Sequence, residues 1–232
     1  MAIALYLAQT YAEFSASNPP PAHMAWMACH FSPYGTGLTN LPKSLPKDSL
    51  LILNDCTPIS GHDADVVCQT LWQTVQQWEC RGILLDFQRP NSHEAAKIIK
   101  ELLKLSCPVA VSDLYAKGLS CPVFLSSPPL NKSLAEHIKP WQGRTIWLEA
   151  ALECAQIAVT ESGCCYTPQP YSFPPDSAFY DEVLHCHYHT DVSPNAVRFH
   201  LYRTREDLQL LLQEAEAFGI SRGVGLYQQL QE

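Results

Sequence analysis

The stretch RGILLDFQRP (residues 81–90) is an apolar run that ends in a carboxylate, Asp86, followed by an aromatic, Phe87, and an amide, Gln88. Four more acids close apolar runs in the same way. Asp55 ends LLILND, Asp113 ends PVAVSD, Glu149 ends TIWLE and Glu161 stands near the end of AQIAVTES. Two carboxyl groups on either side of a scissile bond can divide the roles of acid and base, or acid and nucleophile. Any single acid at a strand end can equally cap the helix that follows, as Asp113 before LYAKG would. Five of them together favour a shared acidic mouth.

A second concentration is LHCHYHT (184–190). On a strand, His185, His187 and His189 project to one face, and imidazoles are ligands for zinc and similar ions. Alternate strand residues stand ~6.6 Å apart, which puts the outer two rings ~13 Å apart. Only a bulge, His200 from a neighbouring strand or a contact between copies would gather three ligands. No metal site and no cofactor is therefore expected. The segment holding Tyr166, Tyr171, Phe173, Phe179 and Tyr180 offers aromatic faces at irregular spacing, fit either to stack on sugar rings or to pack down the loop itself.

Positioning these groups falls to short, wholly apolar runs at 24–31, 50–55, 82–87, 108–113, 122–127, 145–149, 155–162 and 223–230. Such runs suit parallel strands covered on both faces. Helical patterns lie between them. The first, 63–79, places Val66, Val67, Thr70, Leu71, Val75 and Trp78 along one side. The second, 92–105, opens at Ser92 as N-cap, and the third, 205–220, stops at Gly219. Strand–helix alternation predicts an α/β fold. Residues 166–182 read as a long ordered loop. VLHCHYHT and AVRFHLYRT flank DVSPN as a β-hairpin ahead of the last helix and strand.

The 232 residues suffice for one barrel-sized domain. A net charge of −8 argues against nucleic acid as a partner. No apolar run is long enough to span a bilayer, and the start MAIALYLAQT lacks the basic residues of a secretory leader. The ten cysteines contain no C-x-x-C pair and sit mostly beside apolar residues. They read as reduced, buried side chains of a cytoplasmic protein.

RGILLDFQ resembles the strand motif D-G-I-D-L-D-W-E of the family 18 glycoside hydrolases, which lies on the fourth strand of a (β/α)8 TIM barrel. The tail EDLQLLLQEAEAFGISRGVGLYQQL resembles the end of the spore-type and chitinase-like members, where a helix runs into a closing strand G-V-G-x-W. The resemblance implies a compact barrel spanning 1–232, with a loop and hairpin insertion at 166–204. Taken residue by residue, the family's first aspartate falls on Arg81 and its second on Leu84, so both are lost. The third falls on Asp86, which in the family orients and stabilises the substrate's N-acetyl group. The catalytic acid falls on Gln88, and the stacking tryptophan on Tyr227. Tyr115 is the candidate for the family's later tyrosine, and the glycine-rich end of an earlier strand has no counterpart near LNDCTPISG.

An amide has no proton to deliver to a leaving oxygen, so the standard family mechanism is closed at Gln88. The expected function is binding of a glycan or N-acetylated sugar by a pseudoenzyme or strongly impaired hydrolase. Asp86, Gln88 and Tyr227 would line the site, with Asp55, Asp113, Tyr115 and Glu149 around it. The alternatives are an active hydrolase with its acid relocated to Glu149 or Glu161, and a barrel that serves as a platform for protein contacts.

Overall fold

The computed structural model describes residues 3–17, 20–90 and 92–230, which form two compact units. The first is a closed barrel of eight parallel strands. Its strands are β1 (Ala4–Gln9), β2 (Met24–Phe31), β4 (Leu50–Asn54), β5 (Gly82–Asp86), β6 (Val109–Ser112), β7 (Val123–Leu125), β8 (Ile146–Ala150) and a closing strand at Arg222–Leu226. A two-residue strand, β3 (Leu38–Thr39), runs antiparallel against β2. The closing strand lies between β8 and β1, and β1 also pairs with β2, which completes the ring. The strand bearing Asp86 is thus the fourth around the barrel.

Alternation along each strand decides what fills the barrel. Tyr6, Ala8, Ala25, Leu50, Ile52, Leu84, Ala110, Phe124, Trp147 and Val224 form one buried cluster inside it. Gly82 opens β5 because nothing larger fits there: a Cβ would stand 2.7 Å from the Pro108 carbonyl and 3.3 Å from the Trp147 ring.

Among the helices of this unit, α1 (Tyr11–Ala16) starts with a capping box between Thr10 and Glu13. In α2 (Ala64–Gln77), Val67, Leu71, Thr74 and Val75 are buried, whereas Val66, expected on that side, is exposed. Ser92 caps α3 (His93–Leu102) as expected, its Oγ accepting from the Ala95 amide at 3.1 Å. The short α4 (Asp113–Ala116) follows β6.

Two strand expectations need correction. The first barrel strand is β1, which was not expected. The run 155–162 is not a barrel strand but belongs to the second unit, where β9 (Cys154–Thr160), β10 (Gly163–Gln169), β11 (Phe179–Asp181), β12 (Cys186–Ser193) and β13 (Ala196–Tyr202) make an antiparallel sheet in the order β10-β9-β13-β12-β11. Glu161 sits in the exposed two-residue turn of the β9–β10 hairpin, between the paired Thr160 and Gly163. The segment read as a loop over 166–182 supplies the end of β10 and all of β11. The expected hairpin is present as β12 and β13, with Pro194 and Asn195 alone as its turn. The helices α5 (Leu134–Ile138) and α6 (Arg205–Ala217) also belong to this unit. Gly219, just past α6, takes φ +81°, a conformation suited to a helix stop. The closing barrel strand is β14 (Arg222–Leu226), followed by α7 (Tyr227–Leu230).

No helix among the described residues is long and apolar enough to cross a membrane. All ten cysteines are free. Burial pushes the thiols of Cys29 and Cys186 up to about 12 and those of Cys68 and Cys80 up to about 11, which keeps them protonated and inert. A thiol reagent is expected to find close to ten free thiols in denatured protein. In native protein the exposed Cys56, Cys164 and Cys165 should react first. A shortfall of several thiols after denaturation would contradict the reduced state.

Candidate active site at the C-terminal mouth of the barrel

In a parallel barrel the C-terminal strand ends share one face, and sites are built there. In this chain that face holds a cavity of about 100 Å³. Apolar side chains from β1, β2, β4, β5, β7 and β14 make its walls, among them Met27, Leu84, Phe124 and Leu226. Three polar residues enter it: Asn54 at the end of β4, Asp86 at the end of β5 and Glu149 near the end of β8.

The surroundings of Asp86 shift its carboxyl upward. Burial raises its carboxyl above the usual range; the Gln88 amide works against this, and the charge of Asp55 adds to it. Gln88, two residues on and exposed, donates from Nε2 to Asp86 Oδ1 at 2.5 Å. The Gln88 amide therefore stands beside the Asp86 carboxylate and holds it by a hydrogen bond.

The other expected site residues divide. Glu149 lines the same cavity as Asp86. Asp55 does not: it is 3% exposed, and its two oxygens accept the backbone amides of Gln88 at 2.9 Å and Arg89 at 2.8 Å. It fixes the loop that presents Gln88 rather than facing a ligand in the cavity. Tyr115 braces the same loop, its hydroxyl donating to the Arg89 carbonyl and accepting from the Ser92 amide. Asp113 is exposed in the first turn of α4. Tyr227 lies one residue past β14, and its hydroxyl accepts from Ser17 Oγ at 3.1 Å. None of these last three is among the residues lining the cavity.

Asn54 was missed. Its Oδ1 pairs with His30 Nδ1 at 3.1 Å and accepts from the Cys56 amide. The signal was available: along LLILND, Ile52 and Asn54 share a face, and Asp55 falls on the other.

Raising Asp86 in this way has a stability consequence. A carboxyl whose folded-state pKa lies above its unfolded value binds its proton more tightly in the folded protein, so folding is favoured at low pH and loses that gain as pH rises through the folded value. Asp86→Asn, whose Oδ1 still accepts from Gln88, is thus expected to unfold at higher urea than the parent at pH 7. The difference should shrink toward pH 4. A variant less stable than the parent at pH 7 would contradict the burial argument.

No protein-family model matches the sequence, and no curated protein matches it. Solved structures do match its fold. The class V chitinase of Nicotiana tobaccum, a Glu→Gln variant in complex with NAG4, superposes with TM-score 0.58 at 10% identity, over 98% of this chain and 94% of that one. The chitinase of Chromobacterium violaceum gives 0.56 at 11% identity, over 100% and 96%. The spore cortex-lytic enzyme SleL of Bacillus cereus gives 0.53 at 10%, over 97% and 70%. The chain has the fold of these glycoside hydrolases: a (β/α)8-type barrel with a hairpin inserted before the last helix and strand.

Proposed function

We propose that the barrel mouth binds an N-acetylated sugar and does not cleave it by the route usual for this fold. The observation that carries the reading is the Asp86–Gln88 pair at the end of the fourth strand. Asp86 offers a carboxylate to a sugar's acetamido N–H. Gln88 can hydrogen-bond a glycosidic oxygen but cannot protonate it. The cavity is smaller than the ~300–1,000 Å³ of pockets that engulf a drug-sized ligand. Its apolar walls and single carboxylate pair suit one substituent, such as an acetamido group, with the sugar ring outside. Two chitinases of this fold, each carrying a Glu→Gln change, form complexes with N-acetylglucosamine tetramers, which supports a glycan as the ligand class.

One observation favours a second reading. Glu149 enters the same cavity as Asp86, and two carboxyl groups facing one space are the usual equipment for glycoside hydrolysis. A chromogenic N-acetylglucosamine oligomer separates the two. The binding reading expects no turnover above that of denatured protein. Turnover abolished by Glu149→Gln would instead make Glu149 the relocated acid.

A further inference from the structure

The hairpin histidines do not act as one group. His185 Nε2 pairs with Glu214 Oε2 at 2.9 Å and His187 Nδ1 with Asp207 Oδ2 at 2.9 Å, so each is drawn onto α6. His189 takes a different course. It stands directly opposite His200 in the β12–β13 register, the two rings stacked with centroids 4.6 Å apart and planes within 4°. Asp191, two residues along β12 from His189, is on the same face. His200 Nε2 lies 3.0 Å from Asp191 Oδ2.

We propose that His189, Asp191 and His200 form a Zn²⁺ site on this hairpin. One ligand atom from each lies within 4.8 Å of the others. A tetrahedral zinc with bonds of ~2.0–2.1 Å holds its ligand atoms ~3.3 Å apart. Closing the set asks the two imidazoles to turn out of their stack so that their in-plane lone pairs converge, while the strand register holds the three Cα positions. Two imidazoles and one carboxylate are a donor set for zinc and its borderline neighbours, not for calcium or magnesium. Three protein ligands leave the fourth position to water. The Tyr202 hydroxyl, 3.3 Å from His189 Nδ1, supplies an outer partner. When Nδ1–H donates to it, Nε2 keeps the lone pair that a metal ion would take, the tautomer by which metal-binding imidazoles are prepared. The ~13 Å span along one strand, which rules out a site made of His185, His187 and His189, does not apply to a pair facing each other across two strands. This inference is independent of what the barrel mouth binds.

The test is calorimetric titration of ZnCl₂ into the untagged full chain after removal of metal with a chelator. One equivalent is expected to bind, with at least tenfold weaker binding in His200→Asn and in Asp191→Asn, and unchanged binding in His185→Asn. Asp191 is 64% exposed at its side chain, so Asp191→Asn keeps the test valid even if a histidine variant fails to fold. Co²⁺ in the same site should show ligand-field bands without thiolate-to-metal charge transfer. The proposal is overturned by an absence of saturable binding, by binding that survives Asp191→Asn, or by a thiolate band that assigns the metal to cysteines.

Discussion

Gln88→Glu is expected to leave the fold intact and to raise hydrolysis of a chromogenic N-acetylglucosamine oligomer without bringing it to the level of an efficient chitinase. Gln88 is exposed and its backbone is held by Asp55, so the side chain can change without disturbing the loop. A carboxyl there would stand beside Asp86, and two adjacent carboxyl groups resist double ionisation, so one retains a proton to deliver. General acid catalysis contributes ~10²–10⁴-fold, which bounds the gain. The shortfall arises one turn of the pleat earlier. In the motif that RGILLDFQ resembles, an aspartate stands two residues ahead of the position matched by Asp86; here that place is Leu84, which is 1% exposed within the barrel interior and offers Asp86 no polar partner. Adding Leu84→Asp to Gln88→Glu would place a carboxyl among Ile52, Ala110, Phe124 and Trp147, and the double variant is expected to lose stability rather than gain rate. Full turnover from Gln88→Glu alone would show that the acid was the only part missing.

Arg203→Ala is expected to cost about 3–5 kcal/mol of stability, the range for removing one partner of a buried ion pair. Arg203 is fully buried and sits just past β13. Its Nη1 donates to Ser127 Oγ at 2.9 Å, the Pro128 carbonyl at 3.0 Å and Glu153 Oε2 at 3.2 Å. Its Nη2 and Nε reach the Leu184 and His185 carbonyls at 3.3 and 3.4 Å. Burial pulls its pKa down, and the Glu153 carboxylate beside it works against that shift. Losing the guanidinium strands several acceptors at once. Lysine cannot rescue this geometry, because one ammonium cannot reproduce a planar five-donor fork. Urea unfolding measures the effect; a loss below ~1 kcal/mol would mean that water replaces these bonds without cost.

The parts of the fold that could be read from sequence were those governed by strand chemistry. Seven apolar runs became barrel strands because a parallel strand buried on both faces needs them. β1 escaped because ALYLAQ opens the chain and several of its residues are only half-buried. The run 155–162 misled because Ala155, Ile157, Ala158 and Val159 make most of its first five residues apolar. The hairpin cue was the Ser162-Gly163 step, and Gly163 indeed has φ +133°. The entry of Asp86 and Glu149 into the mouth cavity was legible from their places at strand ends. Asp55, Asp113 and Tyr227 misled because closeness to a strand end was weighed without the pleat. Each falls on the opposite parity from the inward residues Asn54, Ala110 and Leu226. Arg203 depends on partners far along the chain, which no local pattern shows, and the His189–His200 pair emerges only when the register of the hairpin is fixed.

Calorimetric titration with a linear N-acetylglucosamine tetramer tests the central claim most directly. The protein is expected to bind it saturably and to release it uncut, and Asp86→Ala should weaken binding at least tenfold while unfolding at no lower urea than the parent. Absence of binding, or binding unchanged in Asp86→Ala, would contradict the assignment of the barrel mouth as the glycan site.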